Sequence, residues 1–342
     1  MRDVRVREPD EESPRLGAAF VMGTFVLRRL LWTIPVTFVA VTMIFFLMRA
    51  IGGNPFRHGP LIGLSTPGGG WTKYGDFQPE AIENNLARRY GLDLPWYEQY
   101  ANFLQGVVTF DFGPSLSFRN QTVNGLIADT APSSLELGLL ALGWAILLGV
   151  PAAVFAALRP NSGLDYSVRL LSSIGFAVPN FLLATMLVYV VSVKLGWLPT
   201  NGWTSWRHKL LPSLTLAMLP MAYLTRIVRG AMLETLQEDY VRAARAKGLR
   251  SSRVVVTHAL RNSLIPAVTV AAPLLGFLMT GAFVIETVYS VPGVSRYFVA
   301  AVAARDYTFV LGATVLTTMV IIVLNLAADI VYALLDPRIR ES

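Results

Sequence analysis

The chain has 342 residues, 54% hydrophobic and only 15% charged, with no cysteine and a formal net charge of +7. A soluble domain is typically about 25% charged, and several apolar runs here reach the about 20 residues a helix needs to cross a bilayer, which excludes an ordinary soluble globular domain. The missing cysteines exclude disulfides, thiolate metal sites and cysteine nucleophiles, and the surplus of Lys and Arg reads as cytoplasmic-loop charge rather than nucleic-acid binding.

Residues 1–21 are charged with mixed signs and read as a disordered extension. The cytoplasmic N-terminal segment extends to residue 29, and the first span covers Leu30–Met48, with Pro35 inside it, tolerable in a membrane helix. Residues 49–132 form a long extracytoplasmic excursion. Within it, Pro79–Tyr90 reads as a short helix stopped by Gly91. Pro95–Val107 reads as a second, with Tyr97, Tyr100, Leu104 and Val107 on one stripe. Trp96, Tyr97, Tyr100 and Phe103 suit a helix against the membrane interface. A core over 133–335 follows, with spans near Leu135–Leu158, Val168–Val193, Leu211–Val228, Ile265–Val288 and Thr308–Leu335. The cytoplasmic tail is 336–342.

Orientation follows from charge. With the N-terminus inside, 18 of the 29 lysines and arginines fall on inner segments or at the inner ends of the spans beside them (Arg169 and Arg226), and seven of those belong to the loop 229–262 before the fifth span. Excess Lys and Arg on short loops marks the cytoplasmic side. The expectation is six spans with both termini cytoplasmic.

No Gly-Lys-Ser/Thr phosphate loop, His-Glu-x-x-His pair or Gly-x-Ser-x-Gly elbow occurs. His58, His208 and His258 lie far apart and form no ligand pattern, so no metal site is expected. The cytoplasmic loop 229–262 is the most informative stretch. Asp239 is a suitable N-cap and Gly248 a suitable stop, which leaves Tyr240–Lys247 as two turns of helix. Ala243 and Ala244 give that helix a nearly flat side, and Arg245 and Lys247 sit where the helix dipole favours cations. This is a short docking helix, or else a solvated basic loop that only sets topology.

The stretch RAARAKGL followed by HALRNSLIP resembles the cytoplasmic loop of type I ABC importer permeases. Arg242-Ala243-Ala244, three residues, then Gly248 keep that family's spacing, with Arg242 in place of its Glu. FVLRRLLWTIPV, QPEAIENNLARRYGLDLPWYEQYANFLQGVVTFDFGPSL, LLPSLTLAM, FVIETVYSVPGV and LLDPRIR, in that order, resemble the dipeptide, oligopeptide and nickel branch of those permeases. The resemblance implies an all-α polytopic fold in the bacterial cytoplasmic (inner) membrane, and a permease subunit that is not itself an enzyme. It implies a second homologous permease subunit, two ATP-binding subunits that hold the ATP and magnesium, and an extracytoplasmic solute-binding protein as partners. It further implies that the docking helix is a coupling helix whose contact set is Tyr240, Arg242, Ala243, Ala244, Arg245, Lys247, Gly248 and Leu249. Peptides are the substrate class it implies, and no cofactor is expected on this chain.

Several polar residues carry two readings. Glu286, near the outer end of the fifth span, is a pathway or gate residue, or an interfacial group paired with a nearby donor. Asn325 and Asp329 share a face of the sixth span and serve as an ion site or an interhelical polar contact. Glu136 opens the second span and suits a helix N-terminus. Trp197, Trp203 and Trp206 contact a partner or anchor at the interface. The alternative from another class is a secondary transporter or channel driven by an ion gradient; such a protein usually carries ionisable relays in its spans and repeated topology, and neither is evident.

Overall fold

The computed structural model describes residues 13–51, 88, 91, 93–118 and 121–335, with side chains at all of these except 13–30, 51, 272, 279–281 and 328–335. Apart from Arg88, the expected helix over Pro79–Tyr90 therefore lies outside the described residues, as do the first part of the N-terminal extension and the tail. Among the described residues the fold is helical, with one isolated antiparallel bridge between Pro114 and Thr122.

Helix α1 spans Ser13–Ile51. It begins well before Leu30 and takes in residues 13–21, expected to be disordered: propagation from an existing helix adds a hydrogen bond per residue fixed. Leu31, Trp32, Ile34, Val39 and Met43 are exposed, as suits a helix in lipid. Helix α2, Trp96–Thr109, packs on the C-terminal half of α1. The Tyr100 hydroxyl lies 2.6 Å from Thr42 Oγ1, and Phe45 stacks on Phe103. Trp96 and Tyr97 remain about half exposed.

Helix α3 runs Val123–Leu158, and its N-cap Thr122 accepts from the Gly125 amide at 3.1 Å. It starts twelve residues before the expected Leu135, so Glu136 sits inside the helix and not at its N-terminus. Polar residues such as Asn124, Thr130 and Ser134 conceal that start in the hydropathy pattern, whereas the Thr122 cap sets it. Helix α4, Gly163–Ala177, and α5, Asn180–Lys194, replace the single third span; they meet at 107°. Pro179 is the cause. It has no amide hydrogen to continue the ladder and pushes Val178 to an extended conformation, φ −86° and ψ 119°.

Helix α6, Trp206–Thr235, carries Pro212 and Pro220 and extends the expected fourth span at both ends. Helix α7 is Asp239–Ala246 and α8 is Ser251–Ser263, whose middle, Val254–Leu260, is π-helical. Helices α9, Ile265–Gly281, and α10, Phe283–Val288, divide the expected fifth span, and α8 meets Ile265–Leu278 of α9 at 44°. Helix α11 is Val294–Ala303, and α12, Tyr307–Leu335, matches the expected sixth span. By length and composition four helices can cross a membrane, or six if each bent pair counts as one span.

The core is the pairing of α3 with α6. Contacts advance in step along both helices: Glu136 with Lys209, Trp144 with Ser213, Gly149 with Thr225 and Ala157 with Met232. The two therefore run parallel, joined by the α4–α5 crossover. Small residues allow the close approach that helix association in lipid requires. A Cβ on Gly149 would meet Met221 O at 3.1 Å, and one on Gly175 would meet Met218 O at the same distance, so α3 and α4 both pack tightly against one stretch of α6.

Candidate functional site

The site is the hairpin of α7 and α8 with the helix ends that carry it. Glu238, not Asp239, occupies the N-cap position, with ψ 147° and no side-chain capping bond. Gly248 has φ +77°, a left-handed conformation that glycine adopts without a Cβ penalty, and it ends the helix as expected. The two alanines point in different directions. Ala243 is exposed, whereas Ala244 is buried with Val241 against Val254, Leu236 and Leu249. The three-to-four-residue helical repeat decides this, since Val241 and Ala244 share a stripe with Leu249 after the turn. Ala244 therefore belongs to the hairpin's own packing and is not an outward contact, a correction to the flat face expected from both alanines.

The outward surface of α7 consists of Tyr240, Arg242, Ala243, Arg245 and Lys247, all exposed, with Gly248 beyond them and Leu249 half-buried. Tyr240 accepts from Asn262 Nδ2 at 2.7 Å, which ties α7 to the far end of α8. Arg242 lies 3.8 Å from Asp239, a loose and exposed pair worth little by itself. The arrangement is a small knob with an alanine at its centre and cations around it.

The linker from α6 to α7 is hydrogen-bonded throughout. Leu236, Gln237 and Glu238 donate their amides to Met232, Glu234 and Thr235. Leu236 also bridges two apolar clusters, one holding Val241, Ala244 and Val254, the other Ala157, Met232 and Ala259. Nearby, Asp165 is fully buried at the first turn of α4. It accepts from Arg229 Nε at 2.6 Å and Arg229 Nη2 at 2.8 Å, and from the Asn161 amide at 3.0 Å. Sequence reasoning missed this bidentate pair. The Ser162-x-x-Asp165 spacing is a helix-start signature, with Ser162 accepting from the Asp165 amide at 3.3 Å.

At the other end of the molecule Glu286 is fully buried. Its carboxylate accepts from the Ser134 hydroxyl at 2.7 Å and from the Arg296 amide at 3.0 Å. Ser134 in turn accepts from the Val294 amide at 2.8 Å. Glu286 thus caps the N-terminus of α11 from the preceding helix and joins α3, α10 and α11. Glu286 is thus a buried, paired group, with the Ser134 hydroxyl and an α11 amide as donors. Tyr289, one turn later, lies 2.9 Å from Thr215 Oγ1 and 3.3 Å from the Ala184 carbonyl.

Glu136 pairs with Lys209 at 2.5 Å and accepts from Trp203 Nε1 at 3.2 Å, so it anchors the 195–205 loop to α3. Trp203 packs on the core, whereas Trp197 and Trp206 are exposed. Asn325 is partly buried on α12; the side chain of Asp329, and with it the expected polar contact, lies outside the described residues. Asp306, also missed, caps α12 and binds the 115–118 loop. Among the described residues no group of three or more His, Cys, Asp or Glu could hold a metal ion.

Residues 149–341 match the family described as binding-protein-dependent transport system inner membrane component. The chain is 38% identical over 320 residues to the dipeptide transport system permease protein DppB of Bacillus subtilis, covering 93% of this chain and 98% of that one. It is 37% identical over 321 residues to the oligopeptide transport system permease protein OppB of Escherichia coli K12, covering 93% of this chain and all of that one. In fold it is similar to a chain of the MetNI methionine ABC transporter in an inward facing conformation, with TM-score 0.52 and 18% identity, over 62% of this chain and 96% of that chain.

Proposed function

The chain belongs to the binding-protein-dependent transport system inner membrane components, and from that membership we propose that it is the permease subunit of an importer for di- or oligopeptides. It is a multi-pass inner-membrane protein and a transport subunit, not an enzyme. The observation that carries the substrate class is 37–38% identity, over 93% of the chain, to permeases named for dipeptide and oligopeptide transport. A transporter driven by an ion gradient is not favoured by these relatives.

In the proposed arrangement α1, α3, the α4–α5 pair, α6, the α8–α9 pair and α12 are six spans. Both termini are cytoplasmic, and the long segment before α3 is extracytoplasmic. The chain works with a second, homologous permease, two ATP-binding subunits that carry ATP and magnesium, and a solute-binding protein outside. The exposed face of α7 docks into an ATP-binding subunit through Tyr240, Arg242, Ala243, Arg245, Lys247 and Gly248. ATP-driven approach of the two ATP-binding subunits moves the docking helices, and alternating access follows. What supports this reading is the knob itself: a short helix whose outward residues are exposed, with a small residue at its centre.

Ala243→Asp and Ala244→Asp separate docking from folding. Ala243→Asp is expected to leave the thermal midpoint of the purified chain unchanged while co-purified ATP-binding subunits fall about tenfold or more, since an unpaired charge in a close contact costs about 2 kcal/mol or more. Ala244→Asp is expected to lower the midpoint itself by burying a carboxylate against Val241 and Val254. Normal recovery of ATP-binding subunits with Ala243→Asp would place the contact elsewhere.

A further inference from the structure

The turn between α3 and α4 carries a buried ion pair that the docking surface does not use. Asp165 is 0% exposed, and both of its oxygens are engaged by Arg229 of α6 at 2.6 and 2.8 Å. Arg169 adds a longer contact at 3.7 Å, and the Asn161 amide donates to the same carboxylate. A carboxylate gripped in a planar bidentate fork is fixed in direction as well as distance. Breaking such a pair leaves a buried charge unpaired, so it stays closed through a cycle unless something replaces it.

Its position gives it a use. Arg229 lies six residues before the end of α6, and three hydrogen-bonded linker residues separate that end from α7. A continuous apolar contact runs beside the pair, from Val241 and Ala244 through Leu236 to Met232 and Ala157 of α3. Displacement of α7 therefore reaches α6 through a stiff joint, and two side-by-side links, one ionic and one apolar, connect α6 to the α3–α4 corner. We infer that Asp165 and Arg229 are positioning residues that lock the α3–α4 turn to α6, so that the stroke received by α7 moves α3 and α4 as one body with α6, an inference that rests on the docking role proposed for α7.

The test uses the complete transporter in proteoliposomes, with substrate uptake and ATP hydrolysis measured together for wild type, Asp165→Asn, Arg229→Gln, Arg229→Lys and the double neutral variant. A purely structural defect lowers uptake and hydrolysis in proportion to the amount of assembled complex. Here each single neutral variant is expected to lower the ratio of uptake to ATP hydrolysed about tenfold. Arg229→Lys, which keeps the charge and loses the fork, falls in between, and the double neutral variant recovers part of the ratio through an amide–amide bond. An unchanged ratio in the single variants, with wild type coupled, overturns the inference alone; wild type without ATP-driven uptake overturns the docking reading and this inference with it.

Should the single variants fail to assemble, Ala157→Cys with Met232→Cys decides the matter in a chain that has no cysteine of its own. Bridging these two positions with a short thiol reagent is expected to leave uptake intact, because both ends already move together. Loss of uptake on bridging that is restored by reduction, or failure of the two thiols to bridge at all, contradicts it.

Discussion

Asp306→Ala is expected to be the most damaging single substitution outside the spans. The carboxylate is fully buried just before α12 and serves two elements at once. One oxygen accepts from the Phe309 amide at 3.0 Å and from Thr308 Oγ1 at 2.8 Å, which is an N-cap; the other accepts from the Ser117 amide at 2.9 Å and from the Ser115 hydroxyl. Losing the cap costs about 1 kcal/mol, and each buried donor left unpaired costs a further 1–3 kcal/mol or so. Together the loss is about 3–5 kcal/mol, enough to detach the 115–118 loop from α12. Thermal unfolding of the detergent-solubilised chain is the check, with Asp306→Asn expected between wild type and alanine because its amide nitrogen faces donors on one side. A midpoint within error of wild type for Asp306→Ala would show that this joint contributes nothing.

Gly293→Ala is expected to be nearly as severe, for a steric reason rather than a conformational one. Gly293 has φ −104°, open to any residue. A Cβ there, however, falls inside the van der Waals envelope of the Glu286 carboxyl group. That carboxyl cannot swing away without abandoning Ser134 and the Arg296 amide. Overpacking costs about 1–3 kcal/mol, and the lost hydrogen bonds add about 1–3 kcal/mol more. Gly143→Ala is the matched control: nothing lies within 4 Å of its added Cβ, and inside α3 it is expected to be neutral or stabilising, since alanine is favoured over glycine in a helix by about 1 kcal/mol. Equal midpoints for the two variants would contradict the close packing of Gly293 on Glu286.

Hydropathy and turn chemistry made most of this fold legible. The long α12 helix, the short α7 helix and its Gly248 stop follow from local rules that the tertiary structure leaves intact. The errors have a common source, namely that apolar length locates a helix in the membrane but does not say where its hydrogen-bond ladder starts or breaks. Thr122 begins α3 within polar sequence, and Pro179 splits what reads as one apolar run. The two alanines of α7 look equivalent in sequence, and only the hairpin with Val254 and Leu249 distinguishes the buried Ala244 from the exposed Ala243. The buried polar joints were least legible. Asp165 with Arg229 and Ser134 with Glu286 are 64 and 152 residues apart, so each carboxylate shows its partner only once the helices are packed. Asp306 was within reach, since an aspartate directly before a long apolar helix is an N-cap signature.

The most direct test of the central claim is peptide uptake into proteoliposomes holding this chain with its second permease and ATP-binding subunits, supplied with the solute-binding protein. Uptake is predicted to require ATP hydrolysis and to persist when an uncoupler abolishes ion gradients. Uptake that collapses under the uncoupler while ATP is held constant, or transport by this chain alone without ATP, would contradict it.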